Sequence, residues 1–214
     1  AAFLDRRIGF LDIAALVATV LLAMATLATA WSAYQSRQWT GEQATGYSKG
    51  TAARIYANRA SGLANRNAQI DVATFIQWLD ANAHRETKLA SFYRTRFRPE
   101  FKPAFAAWVA TNPFENKAAP PTPFAMPQYR LKATTQADAF EATAAVQSEK
   151  AKKANERANN YMLAVVLFGS CLFFAGISTK MQTPRYQTVL VGIGCILFVA
   201  ALIWLATSPV RLTT

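Results

Sequence analysis

A single histidine and two cysteines stand among 214 residues, and that scarcity closes several chemistries at once. His84 has no second histidine or cysteine close to it in sequence, so the ligand spacing of a zinc site is missing. Cys171 and Cys195 each lie inside an apolar run, where cysteine behaves as a small hydrophobe, and neither a structural disulfide nor a thiolate metal site is expected. No cofactor is expected either. HExxH pairs and Gly-rich phosphate loops are missing, and Asp71 and Asp80, nine residues apart, fall on different faces of a helix. Both acids read as solvated or helix-capping groups, and no catalytic residue is expected.

Charge is also scarce. Only 16% of residues are charged while 52% are hydrophobic, too apolar a mixture for an ordinary soluble domain and too polar for a chain lying wholly in a membrane. The explanation lies in three runs with no Asp, Glu, Lys, Arg or His: 13–31, 161–178 and 188–207. Each approaches the ~20 residues a helix needs to cross ~30 Å of hydrocarbon. Run 13–31 is longer than a typical signal-peptide core, and Trp31 occupies a place where cleavage wants small residues. It reads as a retained anchor. Ala15, Thr19, Ala23 and Thr26 recur along it at three- and four-residue steps, a spacing of small residues that lets membrane helices approach closely. A pore lined by Thr19, Thr26 and Thr29 is the weaker reading, and no span carries the ionisable residue of a proton relay.

Residues 32–160 form the extramembrane part, with eight more basic than acidic residues. Proline is missing from 32 to 98, which predicts a long helix continuing out of the first span. Tyr56, Leu63 and Ile70 recur every seven residues, flanked by Ala53, Ala60, Phe75 and Leu79, and this stripe is expected to pack on another helix. Gly41, Gly46 and Gly50 lower helix propensity, and a break is expected among them. A second helix is expected to stop at Pro99, and Pro103 opens a short one ended by Asn112-Pro113. Residues 131–160, free of Gly and Pro, should run as one helix into the second span, with Phe140, Ala144, Gln147 and Ala151 on one face. Fifty outgoing residues against thirty returning ones leave about 30 Å of helix unmatched. One of the two helices is therefore expected to bend, or a neighbouring subunit to cover the excess.

The stretch NPFENKAAPPTPFAMPQY, 112–129, holds five of the nine prolines and no glycine or serine. That composition does not suit a flexible linker. Phe114, Phe124, Met126 and Tyr129 gain from burial, so the stretch is expected to form an ordered cap over the domain helices, and those four residues are a candidate interface. Arg94, Arg96, Arg98 and Lys102, interleaved with aromatics, are candidate contacts for anionic lipid or an acidic partner.

The residues RFRPEFKPAFAAW, PPTPFAMPQY and LFFAGIS, with WSAYQSRQW after the first span, resemble an uncharacterised group of bacterial membrane proteins with this three-span layout. The resemblance covers most of the chain. In similar sequences the loop between the last two spans is more basic than TKMQTPRYQ, which implies that the domain faces outward. No activity, and so no catalytic residue, comes with it.

The expected fold is therefore all-α: three transmembrane helices, with an extramembrane helical domain built on long helices continuing from spans 1 and 2. Arg6 and Arg7 before the first span and Lys180 and Arg185 in the short loop mark the cytoplasmic side by the positive-inside tendency. The expected division is a cytoplasmic N-terminus 1–12, spans 13–31, 161–178 and 188–207, an extracytoplasmic domain 32–160, a cytoplasmic loop 179–187 and a tail 208–214. The expected role is a non-enzymatic membrane scaffold or accessory protein, oligomeric or joined to other membrane subunits, in contact with membrane lipids and not with nucleic acid. An oligomeric channel, or an extracytoplasmic sensor acting through a separate partner, is the alternative.

Overall fold

A charge-free run crossing hydrocarbon must satisfy its own backbone, and within one segment only a helix does so. The computed structural model describes the backbone of residues 2–211 and the side chains of residues 13–211. Expectations resting on the side chains of 1–12, those of Arg6 and Arg7 among them, and on 212–214, lie outside the described residues. The fold is all-α, with five helices: α1 (Ala2–Ala83), α2 (Thr87–Arg96), α3 (Lys102–Val109), α4 (Lys132–Ser178) and α5 (Pro184–Ala206), plus a 3₁₀ turn at Pro123–Ala125. Parts of α1, α4 and α5 are long and apolar enough to cross a membrane. α1 and α4 extend well beyond their apolar runs, and the break expected among Gly41, Gly46 and Gly50 does not occur.

The chain forms two compact units, residues 1–48 with 147–214, and residues 49–146. The unit boundaries do not follow the ends of the apolar runs, because the first unit keeps the parts of α1 and α4 just beyond the spans. Its core is built on small residues. Leu21 and Ala25 of α1 lie buried with Cys171 and Ala175 of α4, Ala18 of α1 is also buried, and Ala164, Phe168 and Ala201 form a second cluster. Further along, a Cβ added at Gly46 would stand 2.9 Å from Ala151 Cβ and 3.2 Å from its Cα. α1 and α4 thus touch almost backbone to backbone, and glycine is retained there because no side chain fits.

Ala15, Thr19, Ala23 and Thr26 are not part of this packing. The structure turns them outward, and the face used within the chain is Ala18, Leu21 and Ala25. The two rows are neighbouring faces of one helix, and neither row's composition reveals which one the chain's own helices cover.

At the far end of the apolar runs the chain holds its own C-terminal segment. The buried Gln35 amide donates to the Arg211 carbonyl at 3.0 Å and accepts from the Arg211 N–H at 2.9 Å. Trp39 Nε1 and the Tyr161 hydroxyl both donate to the Pro209 carbonyl, at 3.3 and 3.1 Å. Trp204 Nε1 reaches the Asn160 carbonyl at 3.3 Å, so span 3 ends level with the start of span 2.

In the second unit the buried row of α1 is Ala53, Ala57, Ala64, Asp71, Phe75 and Trp78, and that of α4 includes Ala133, Ala137 and Ala144. The expected row of Tyr56, Leu63 and Ile70 is instead exposed, at 52%, 42% and 50%. Close helix approach selects the alanines, since helices that meet through methyl groups leave no room for a ring between them. Phe140 is likewise exposed, its ring 5.5 Å from that of Tyr56.

The end of α1 is covered by the chain's own short helices. Phe75, Trp78 and Ala81 of α1 are buried with Ala90 of α2, Phe97, Phe101, and Phe105 and Trp108 of α3. The rings meet mostly edge to face, as in Trp78–Phe105 at 4.7 Å and Phe75–Trp108 at 5.4 Å. Such pairs are worth about 0.5–1.5 kcal/mol each beyond their burial. The reversal after α1 is made by Arg85 at φ 60, with Glu86 N–H bonded to the Ala81 carbonyl and Arg85 N–H to that of Asn82. This is the left-handed helix end usually built on glycine.

The close approach at Gly46 sets up a paired test. Gly46→Leu should destabilise the protein by about 1–3 kcal/mol through overpacking, whereas Gly41→Ala, with nothing within 4 Å of the new methyl, should stabilise it by about 1 kcal/mol. Thermal unfolding of the two variants in detergent, followed by circular dichroism, checks the opposite signs.

Candidate functional site

The one charged group buried completely in the second unit is Asp71, at 0% exposure on the packed face of α1. A carboxylate taken out of water costs several kcal/mol unless it is paired. Asp71 Oδ2 accepts from Arg98 Nη1 at 2.8 Å and from the Tyr129 hydroxyl at 3.1 Å. The other Arg98 nitrogen, Nη2, donates to Glu100 Oε2, and Glu100 Oε1 accepts from the backbone N–H of Lys132, the first residue of α4, at 3.2 Å. One guanidinium, with Glu100 as its relay, therefore ties the C-terminal part of α1, the turn before α3 and the start of α4. Glu100 also supplies negative charge where the α4 dipole is positive.

The electrostatics are those of a structural lock under tension. Burial pushes the Asp71 carboxyl above its ordinary range, although Arg98 and the Tyr129 hydroxyl pull it down. Burial and the neighbouring Asp71 push the Tyr129 phenol well above its usual value, so it remains a hydrogen-bond donor. Asp71 Oδ1 has no partner among the described residues. The solvated or helix-capping role expected for Asp71 is thus corrected: its partners are 27 and 58 residues away in sequence and invisible to local pattern. Asp80 is exposed beside His84 Nδ1 at 3.4 Å.

The proline-rich stretch lies against this cluster. Phe124 stacks on Phe101 at 5.2 Å and meets Phe75 edge-on at 5.6 Å, and Tyr129 meets Phe124 at 5.1 Å. Met126 packs on the same core, and Trp108 Nε1 donates to the Pro120 carbonyl at 2.8 Å. Phe114 is different: its ring is 6.0 Å from that of Trp108 but its side is open, with 64% exposure.

The four basic candidates do not act together. Arg98 is turned inward onto two carboxylates and is not available as a surface contact. Arg96 lies over the Phe92 ring at 3.6 Å and Arg94 over Phe105 at 6.0 Å, while Lys102 is exposed. Thr19, Thr26 and Thr29 donate to the carbonyls of Ala15, Leu22 and Ala25 one turn back, at 2.9, 2.7 and 2.7 Å.

One catalytic spacing escapes the composition argument: Gly46-Tyr47-Ser48-Lys49-Gly50 reads G-x-S-x-G. In hydrolases that pentapeptide works from a strained turn between a strand and a helix. Here all five residues lie inside α1, with Gly46 and Gly50 buried. No strand occurs among the described residues, so the motif is helix packing. No group of three or more His, Cys, Asp or Glu residues among the described residues is placed to hold a metal ion. Comparison with protein-family models, with curated proteins and with solved structures yields no match.

The sign of the Asp71 shift gives a pH-dependent prediction. Because its folded pKa is raised, the folded state binds the proton more tightly than the unfolded chain does. Its contribution to stability is therefore greatest below the unfolded value, about 3.9, and declines as pH rises through the folded one. Removing Arg98 raises that folded value further. Arg98→Met should cost about 3–5 kcal/mol at pH 7.5, and distinctly less at pH 5, as read from unfolding midpoints at the two pH values. An equal loss at both would contradict the pairing.

Proposed function

We propose that this chain is a non-enzymatic membrane scaffold or accessory protein, working as an oligomer or with other membrane subunits through its helical extramembrane part. The observation that carries this reading is the exposed row of Tyr56, Leu63 and Ile70 on α1. These apolar side chains recur at seven-residue spacing, the repeat by which one helix packs along another, and the chain's own helices leave them about half exposed. The outward Ala15, Thr19, Ala23 and Thr26 of the first span offer a second small-residue face suited to helix association in a membrane. The buried Asp71 cluster supports the same reading, because its hydrogen bonds run to groups that join helices.

The mass of the purified protein in mild detergent tests the reading. It should exceed that of one copy or include a bound partner, and a Tyr56→Glu, Leu63→Glu variant should fall to a single copy with its helix content intact. A parent protein that is a lone monomer would overturn it.

The membrane we propose is the bacterial cytoplasmic membrane, with the domain outside. Arg6 and Arg7 and the loop residues Lys180 and Arg185 support that direction, and Trp31, Tyr161 and Trp204 mark the opposite interface. A cysteine placed at the exposed Lys117, with Cys171 and Cys195 replaced by alanine, should react with a membrane-impermeant maleimide in intact cells. Labelling only after permeabilisation would place the domain inside.

A further inference from the structure

We propose that a basic hollow in the first unit binds the phosphate of an anionic phospholipid headgroup; the proposal rests on the reading of 13–31, 161–178 and 188–207 as membrane spans. The hollow has a volume of about 390 Å³, and Trp39, Glu42, Lys150, Lys153, Arg157 and Arg211 line it.

The hollow is assembled by long-range bonds. Arg211 is brought there by the C-terminal segment, whose backbone is held by the Gln35 amide and by Trp39 and Tyr161. The Arg157 guanidinium lies over the Trp39 ring at 4.5 Å, and that of Arg211 over the same ring at 5.7 Å. One indole thus orients two guanidinium groups, whose planar forks suit the oxygens of a phosphate. Glu42 pairs with Arg211, and Lys153 is 3.7 Å from Glu149. Among the described residues no carboxylate pairs with Lys150 or Arg157, so the hollow keeps a positive surplus.

Its position selects the ligand. Arg157 lies four residues before Tyr161, where the second charge-free run begins, which is about 6 Å along the helix. The polar layer on each side of a bilayer is about 5–7 Å deep. Arg157 therefore stands at headgroup depth. Lys150 and Lys153, one to two turns further out, can lean back along their methylene stems. A lipid phosphate meets these cations without leaving its own layer, whereas a free anion has no membrane to hold it there.

The test uses the full chain in mild detergent, titrated with equal parts of phosphatidylglycerol and phosphatidylcholine and read by native mass spectrometry. Phosphatidylglycerol adducts should exceed phosphatidylcholine adducts about tenfold. Lys150→Gln with Arg157→Gln, at about fivefold per cation removed, should abolish that preference altogether, while Lys117→Gln should leave it unchanged. Lys150→Glu alone, an exposed position at which the fold is not at stake, should reduce the preference by at least the same step. Equal retention of both lipids by the parent protein would overturn the proposal, as would a preference untouched by the hollow variants. Displacement of the bound lipid by an equimolar amount of inorganic phosphate would show a free-anion site and overturn it as well.

Discussion

Two helices that approach until their backbones nearly touch set the terms for everything else in this protein. At Gly46 and Ala151 the gap between α1 and α4 is too small for one further methyl group, and glycine, alanine and serine fill the packed positions nearby. Close approach yields many weak dispersion contacts along the helices rather than a thick core. In the second unit it selects alanine for the packed row of α1, at Ala53, Ala57 and Ala64, and leaves the larger side chains beside that row outside. The exposed Tyr56, Leu63 and Ile70 are thus a consequence of the seam, and the proposed scaffold role is built on what the seam leaves outside.

The thick core is found elsewhere, in a form suited to loops and short helices. α2 and α3 are too short to be stable alone, and they are held by rings from four segments, with Phe75, Phe101, Phe105 and Trp108 at the centre. Rigid prolines deliver Phe124 and Met126 to that cluster at low entropic cost. The contact of Asp71 with Arg98 then fixes the direction in which these pieces meet, at some expense in stability, since burial disfavours the charged carboxylate. The arrangement is what a small extramembrane unit needs in order to present a fixed surface.

Much of this was legible from composition. Charge-free runs mark the spans because a charge there is costly, and prolines mark the ends of the short helices because the ring removes a hydrogen bond. The face along which the long helices pack was legible only in part: Ala53 and Phe75 of α1 and Ala144 and Ala151 of α4 are buried as expected, whereas Tyr56, Leu63, Ile70 and Phe140 are exposed. Hydrophobicity favours the row of Tyr56, Leu63 and Ile70, and only knowledge of the interhelix distance favours Ala53, Ala57 and Ala64. The same holds for Ala18, Leu21 and Ala25 against Ala15, Thr19 and Ala23. Pairings across long stretches of sequence were also hidden: Gln35 with Arg211, 176 residues apart, Asp71 with Tyr129, and the Arg157–Trp39 contact. Each of these residues reads locally as an ordinary surface polar group or a membrane-edge aromatic.

The close seam can be probed directly with Gly46→Ala, alone and combined with Ala151→Gly. Gly46→Ala should lower the unfolding midpoint in detergent, and Ala151→Gly should restore part of that loss, because the two methyl groups that would stand 2.9 Å apart are then not both present. A Gly46→Ala variant as stable as the parent protein, or a loss that Ala151→Gly leaves unchanged, would contradict the close approach of the two helices.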